Sequence, residues 1–173
     1  MIIISNKFLI DANCLITPKN QYYAFDLVQT FWDELDKNIK AGHILILDKV
    51  FNEIIKGGDE LSDWIKEYAS YKMDSGTSEI IKKYMDIILY IHNSDLYKPN
   101  AENEWKQADI ADGFLIATAC VHNCKIITNE RLNLNLNPGS ATKHPKIPDV
   151  AKNFNVDCVN IFDVMRDLKF KKM

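Results

Sequence analysis

The sequence predicts an α/β fold with a central parallel sheet flanked by helices, and three observations predict it. Phe8-Leu9-Ile10, Ile44-Leu45-Ile46-Leu47 and Lys125-Ile126-Ile127-Thr128 are apolar runs of strand length. Stretches with the 3.6-residue period of helices separate them. The chain opens in the order strand, helix, strand, helix, which points to a parallel sheet with right-handed crossovers.

Phe8 to Ile10 reads as the first strand. The stretch from Gln21 to about Lys40 reads as a helix, with Phe25, Val28, Phe31, Trp32 and Leu35 at helical spacing, and Gly42 stops it. Ile44 to Leu47 gives the second strand. Asp48 then caps a helix carrying Val50, Phe51, Ile54 and Ile55, which Gly57-Gly58 ends. From Asp59 to about Asn93 the pattern is helical twice over, broken near Asp74-Ser75-Gly76, with Thr77 or Ser78 as the second start. Most amphipathic faces cover a core, so this helical segment at about 59–93 is read as cover for the sheet rather than a protruding arm. A third helix from about Asp109 to His122 leads into the strand Lys125 to Thr128. The turn-rich stretch Arg131 to Pro148 follows, and its alternation Leu132-Asn133-Leu134-Asn135-Leu136-Asn137 suits either an edge strand or a loop. A helix near Asp149 to Asn153, a strand at Cys158 to Ile161 and a closing helix complete one domain over residues 1–173.

With 47% hydrophobic and 26% charged residues the composition is that of an ordinary soluble globular protein. A net charge of -3 argues against a protein that coats nucleic acid through a broad basic face. It leaves room for an enzyme that reaches phosphates through metal ions and a few local lysines. Met1-Ile2-Ile3-Ile4 lacks a basic n-region, and Ser5-Asn6-Lys7 interrupts it before a signal peptide forms. No stretch approaches membrane-spanning length, so no membrane association and a cytoplasmic location are expected. Cys14, Cys120, Cys124 and Cys158 form no C-x-x-C pair and are expected to be free thiols.

Four carboxylates carry the chemistry. Asp11 follows the first strand, Glu53 lies one turn into the helix after the second, Asp112 opens a helical stretch, and Glu130 follows Thr128 by two residues. Ligands of parallel α/β sheets bind in the crevice at the carboxyl ends of the strands. Acidic groups gathered there repel one another unless a cation joins them, so a hard divalent metal is the natural occupant. Oxygen-only ligands favour Mg²⁺ or Mn²⁺ over Zn²⁺. Asp109, three residues before Asp112, is placed on the same helical face and is a further carboxylate for the site. Thr128 is placed to hydrogen-bond a carboxylate or a metal-bound water, with Asn129 beside it to orient these groups. Gly113 costs its helix about 1 kcal/mol relative to Ala, which a close approach of backbone or ligand explains. Taken singly, each acid has an ordinary explanation as a turn former, a solvated helix residue or a first-turn Asp favoured by the helix dipole.

Taken together, Asp11-Ala12-Asn13-Cys14-Leu15-Ile16, Val50-Phe51-Asn52-Glu53-Ile54, Asp112-Gly113-Phe114-Leu115-Ile116-Ala117-Thr118-Ala119 and Ile126-Ile127-Thr128-Asn129-Glu130 resemble the motifs of PIN-domain ribonucleases, including the VapC-type toxins of bacterial toxin–antitoxin pairs. The resemblance spans essentially the whole chain. It implies a three-layer PIN-like fold and an RNA-cleaving endonuclease whose Asp11, Glu53, Asp112 and Glu130 hold one or two Mg²⁺ or Mn²⁺ ions. Glu130 stands where the family usually has Asp, and its longer arm is expected at the edge of the group. Residues Lys146 to Val150 and Asp157 to Val159 look like those of a less characterised PIN-like subfamily. The resemblance further implies a homodimer and an antitoxin partner, while Lys125, Arg131, Lys143 and Lys146 are candidates for RNA phosphate contacts. Trp64, Tyr68, Tyr71, Tyr84 and Tyr90 add a second warrant for an interface along 59–93. Two other classes compete: a non-catalytic PIN-like binding module, and a phosphatase using Asp11 as nucleophile. The second is disfavoured because Asn13 stands where such enzymes carry a second Asp.

Overall fold

Phe8–Ile10 form β1 at the centre of the sheet, and all three side chains are fully buried. The computed structural model describes residues 7–171; the Met1–Ile4 opening, read above against a signal peptide, lies outside them. β1 pairs in parallel with β2 (Ile44–Leu45) on one side and with β3 (Lys125–Ile127) on the other. β4 (Cys158–Val159) lies beyond β3, so the order is β2-β1-β3-β4 and every strand is parallel. Helices flank this sheet in a three-layer α/β arrangement. A central strand covered on both faces has no polar face, which is why its sequence is an unbroken apolar run. Each fully buried Phe, Leu or Ile contributes about 1.5–3 kcal/mol relative to exposure.

The helix expected from Gln21 begins only at Gln29, as α2 (Gln29–Lys40); α1 (Asn13–Gln21), which the sequence reading did not mark, precedes it, with Phe25 and Val28 in the turn between them. Pro18 lies inside α1, where its missing N–H leaves a gap in the ladder. Tyr22 and Tyr23 both donate to the Pro18 carbonyl, at 3.1 and 2.7 Å, and close the helix there. The apolar spacing that imitated a continuous helix arises because the turn folds back. Phe25 stacks on Trp32 at 4.0 Å, and Trp32 Nε1 donates to the Tyr23 carbonyl at 2.7 Å.

α3 (Asp48–Lys56) takes Asp48 as its first residue rather than its cap. α4 (Glu60–Lys66) starts at a capping box between Asp59 and Ser62, and α5 (Ser78–Asn93) at Thr77, whose hydroxyl accepts from the Ile80 N–H. The short α6 (Glu102–Trp105) precedes α7 (Asp112–His122), which ends at Asn123 in the left-handed conformation, φ 51°. α7 begins at Asp112, so Asp109 sits in the turn before it and shares no helical face with it. α8 (Ile147–Ala151) starts two residues earlier than expected. Ile161 belongs to α9 (Ile161–Asp167), which shortens the last strand. The Leu132–Asn137 alternation is a loop: Asn133 and Asn137 side-chain oxygens accept from the Asn135 and Gly139 N–H groups, offering the backbone an alternative to a strand ladder.

The helical segment covers the core, as expected: α5 packs along α7. A methyl group on Gly113 would stand 2.9 Å from Tyr84 Cε2, so this glycine admits an aromatic ring of the protein itself. Tyr84 stacks on Phe114 at 4.0 Å, and its hydroxyl donates to the Trp105 carbonyl at 2.9 Å. The aromatics of 59–93 largely turn inward. Trp64 and Tyr68 join the cluster around Trp32, Tyr90 packs on Phe154, and of the five only Tyr71 is exposed. They therefore do not form the outward surface the sequence suggested. All four cysteines are free, with Cys14 and Cys124 buried.

Candidate functional site

Asp11 is set by the sheet. Its N–H donates to the Ile127 carbonyl at 3.0 Å, continuing the β1–β3 pairing one residue past the strand and bringing Asp11 alongside Thr128. The Thr128 hydroxyl donates to Asp11 Oδ2 at 3.2 Å and accepts from the Glu130 N–H at 3.2 Å. The side chain of Asn129 donates to the Asn13 carbonyl at 3.0 Å, tying the turn after β3 to the start of α1. β1 and β3 part company here: the chain leaves β1 for β2 on one side, while β3 lies on the other. This is the topological switch point at which α/β sheets open a crevice.

Asp11 is 5% exposed. Burial raises its carboxyl from 3.8 to about 6, and the charges of Glu130 and Glu53 push the same way against the Thr128 hydrogen bond and the Asn13 N–H. Asp112, at the start of α7, is raised to about 7 by burial and then by Asp11, Glu130, Glu53 and Glu104. Asp11 and Asp112 thus each feel the charges of Glu53 and Glu130, the other two acids expected from the sequence. The outlying member is Glu53 rather than Glu130: Glu53 is exposed on α3 and presses on Asp11 and Asp112 less than Glu130 does. Although the residue as a whole is exposed, desolvation of its carboxyl and the charge of Asp109 raise its pKa, against the pull of Lys56. The carboxyl of Glu130 is also raised by burial, while Oε2 accepts from the Ile147 N–H at 2.6 Å, which holds it to the start of α8.

Other expected members fall elsewhere. Asp109 is exposed and ion-paired with Lys56 at 3.0 Å, which lowers its pKa and places it at the Glu53 rim. Lys125 lies at the amino end of β3, in register with Phe8, near Asp157 at 3.9 Å. Because the acids follow the carboxyl ends, Lys125 is at the wrong end of its strand for a phosphate bound there. Lys143 is exposed on the loop before α8, Lys146 is close enough to lower Glu130, and Arg131 lines a groove beside Glu130.

The sequence reading missed Glu104 and Asp149. Glu104 presses on both Asp112 and Glu130, and its Oε2 meets His144 Nδ1 at 3.0 Å. No strand precedes it, so nothing in the local pattern marks it. Asp149 is 1% exposed, accepts from the Asn133 N–H at 2.7 Å through Oδ1, leaves Oδ2 without a protein partner, and raises Glu130. Lys49 was also missed. It reaches the Ala108 carbonyl at 2.9 Å, lies over the Phe114 ring at 4.3 Å, and lines a cavity of about 640 Å³ with Asn52, Glu53 and Lys56.

The donor set suits a hard divalent cation: oxygen ligands only, on carboxylates raised partly by one another. Among the described residues no three His, Cys, Asp or Glu side chains stand at ready ligand spacing. The acids influence one another's protonation without closing into a ligand shell, and Glu130 and Glu53 line separate cavities. Over residues 8–172 the sequence matches the family described as a domain of unknown function, DUF4411. The chain belongs to that family. No curated protein matches it. Among the described residues no helix is long and apolar enough to cross a membrane.

Proposed function

We propose that the protein is a metal-dependent endoribonuclease of the PIN-like kind, with Asp11, Glu53, Asp112 and Glu130 around one or two Mg²⁺ or Mn²⁺ ions. One observation carries this reading. Carboxyls from four separate parts of the chain press on one another near the carboxyl ends of β1 and β3, and burial with that repulsion keeps two of them protonated up to about pH 6 and 7. Such a group destabilises the fold that holds it, and a divalent cation relieves the repulsion. When bound, the ion supplies an activated water and stabilises charge on the attacking and leaving phosphodiester oxygens.

The chain's own residues prepare the place. Thr128 and the Asn13 N–H hold the carboxylate of Asp11, while the Ile147 N–H restrains Glu130. Asp11 and Asp112 must release protons before they act as ligands, so metal affinity rises with pH through this range. Lys146 beside Glu130, with Lys49 and Lys56 near Glu53, flank the acids on two sides and are suited to phosphate. The toxin form of the reading adds an antitoxin that covers the acidic crevice and a homodimeric state.

The test is cleavage of a panel of RNAs by the purified chain in Mn²⁺, its absence in EDTA, and its absence in Asp11→Asn protein that remains folded. Cleavage that survives EDTA or Asp11→Asn sinks the proposal. A second reading, a PIN-like module that recruits a partner, is favoured by α5, which exposes Ile81, Met85 and Leu89, the last two lining a concavity of about 690 Å³. Absence of measurable Mn²⁺ affinity in a titration selects it.

A further inference from the structure

A groove begins at Glu130, separate from the cavity that Glu53 lines. Its first part, about 960 Å³, begins at Thr128, Asn129 and Glu130 and runs across the end of β4 to Phe162 and Arg166 on α9. A second cavity of about 460 Å³ shares Phe162 and Arg166 and continues along the last residues to Lys169 and Lys171. Arg131, Lys152, Arg166, Lys169 and Lys171 line the two, against the carboxylates of Glu130 and Asp157 alone. In a chain of net charge -3 this concave strip is locally positive. Of these cations only Arg166 is ion-paired among the described residues, with Asp163 at 2.9 Å. Both partners are exposed, so that pair is weak and yields to a phosphate.

The strip also carries aromatic surface. Phe162 is 44% exposed and Tyr22 is 40% exposed, with ring centroids 6.3 Å apart and planes inclined by 30°. Two large exposed rings beside a row of cations form the usual combination for an unpaired polynucleotide, in which cations track the backbone and rings stack on bases.

We propose that this groove is the track of the RNA strand on one side of the cleavage point, with Arg131, Lys152 and Arg166 gripping successive phosphates and Phe162, backed by Tyr22, stacking a base. The proposal rests on the nuclease reading for the chemistry at Asp11 and Asp112, but binding tests it separately. A fluorescein-labelled 12-nucleotide single-stranded RNA is titrated with the full chain in EDTA, and anisotropy is followed at several salt concentrations. Arg131→Glu and Arg166→Glu should each weaken binding about tenfold and reduce the salt slope by about one. Lys66→Glu on α4, with the same change of charge, should stay within about twofold of the unaltered chain. Phe162→Ala should weaken binding about fivefold with the salt slope unchanged, and Phe162→Tyr should restore it.

Three outcomes overturn the groove: no measurable binding by the unaltered chain at low salt, affinities unmoved by Arg131→Glu and Arg166→Glu, or equal affinity for a duplex of the same sequence. Mn²⁺-dependent cleavage with groove-independent binding defeats the groove and leaves the nuclease. Groove-dependent binding without cleavage does the reverse.

Discussion

Thr128 shows how one hydroxyl serves two acids, donating to Asp11 Oδ2 and accepting from the Glu130 N–H. A hydrogen bond to a carboxylate contributes about 1.5–3 kcal/mol, so Thr128→Val should raise the Asp11 pKa further and weaken Mn²⁺ binding about tenfold at pH 7. Thr128→Ser should change little; Mn²⁺ titration and carboxyl NMR check both. Asp112 gives the pH dependence. Its folded value of about 7 lies above its ordinary 3.8, so the folded protein holds a proton that the unfolded chain releases between those values. The resulting stability is complete below about pH 4 and is lost as pH rises through 7. Asp112→Asn should therefore raise metal-free stability at pH 8 by about 1–3 kcal/mol and leave it nearly unchanged at pH 4, as read from urea melts. A marked loss at pH 8 would assign Asp112 to capping α7. Asp11 and Thr128 were legible in the sequence because each follows an apolar strand. Glu104 and Asp149 were not, because their influence comes from tertiary approach across a loop.

Gly113 belongs to the scale of elements. In isolation Gly→Ala in a helix gains about 1 kcal/mol. Here the added methyl meets the Tyr84 ring at 2.9 Å, and that ring is held by its stack on Phe114 and its bond to the Trp105 carbonyl. Overpacking of about 1–3 kcal/mol outweighs the propensity gain, so Gly113→Ala should lower the melting temperature. In a Tyr84→Ala background the same change should be neutral or stabilising, a reversal that a double-mutant cycle detects. The sequence marked Gly113 as a place of close approach but could not say whether ligand or protein approached, since α5 lies some thirty residues away. The late start of the helix expected over Gln21–Lys40 has a similar cause. Phe25 keeps helical spacing with Trp32 while reaching it from a turn, and periodicity does not distinguish these geometries.

For the whole molecule, the order β2-β1-β3-β4 sets the sheet edge near which the residues that follow β1 and β3 lie. Parallel strands put every following loop on one edge, and the reversal around β1 places the switch point beside Asp11 and Thr128, which stay hydrogen-bonded to each other. The sequence could not place Lys125, because a residue's end of the strand matters as much as its nearness in sequence to Glu130. The same molecule-wide view changes the grounds for a partner: the aromatics of 59–93 are spent on the core, and the outward face of α5 is aliphatic, with Met85 at 64% and Leu89 at 57% exposed. Separately placed exposed apolar residues are ordinary, but a stripe at helical spacing beside a concavity is a place where a second chain gains by binding. If the chain is the toxin of a pair, its expression alone should slow bacterial growth, Asp11→Asn should relieve the effect, and light scattering should give a dimer. Met85→Glu should then disrupt the dimer or the antitoxin complex while leaving cleavage of RNA by the isolated chain in Mn²⁺ intact. Harmless expression of the wild-type chain together with a monomeric mass would exclude the toxin and dimer readings, and leave the acidic crevice to be judged by its metal and RNA chemistry alone.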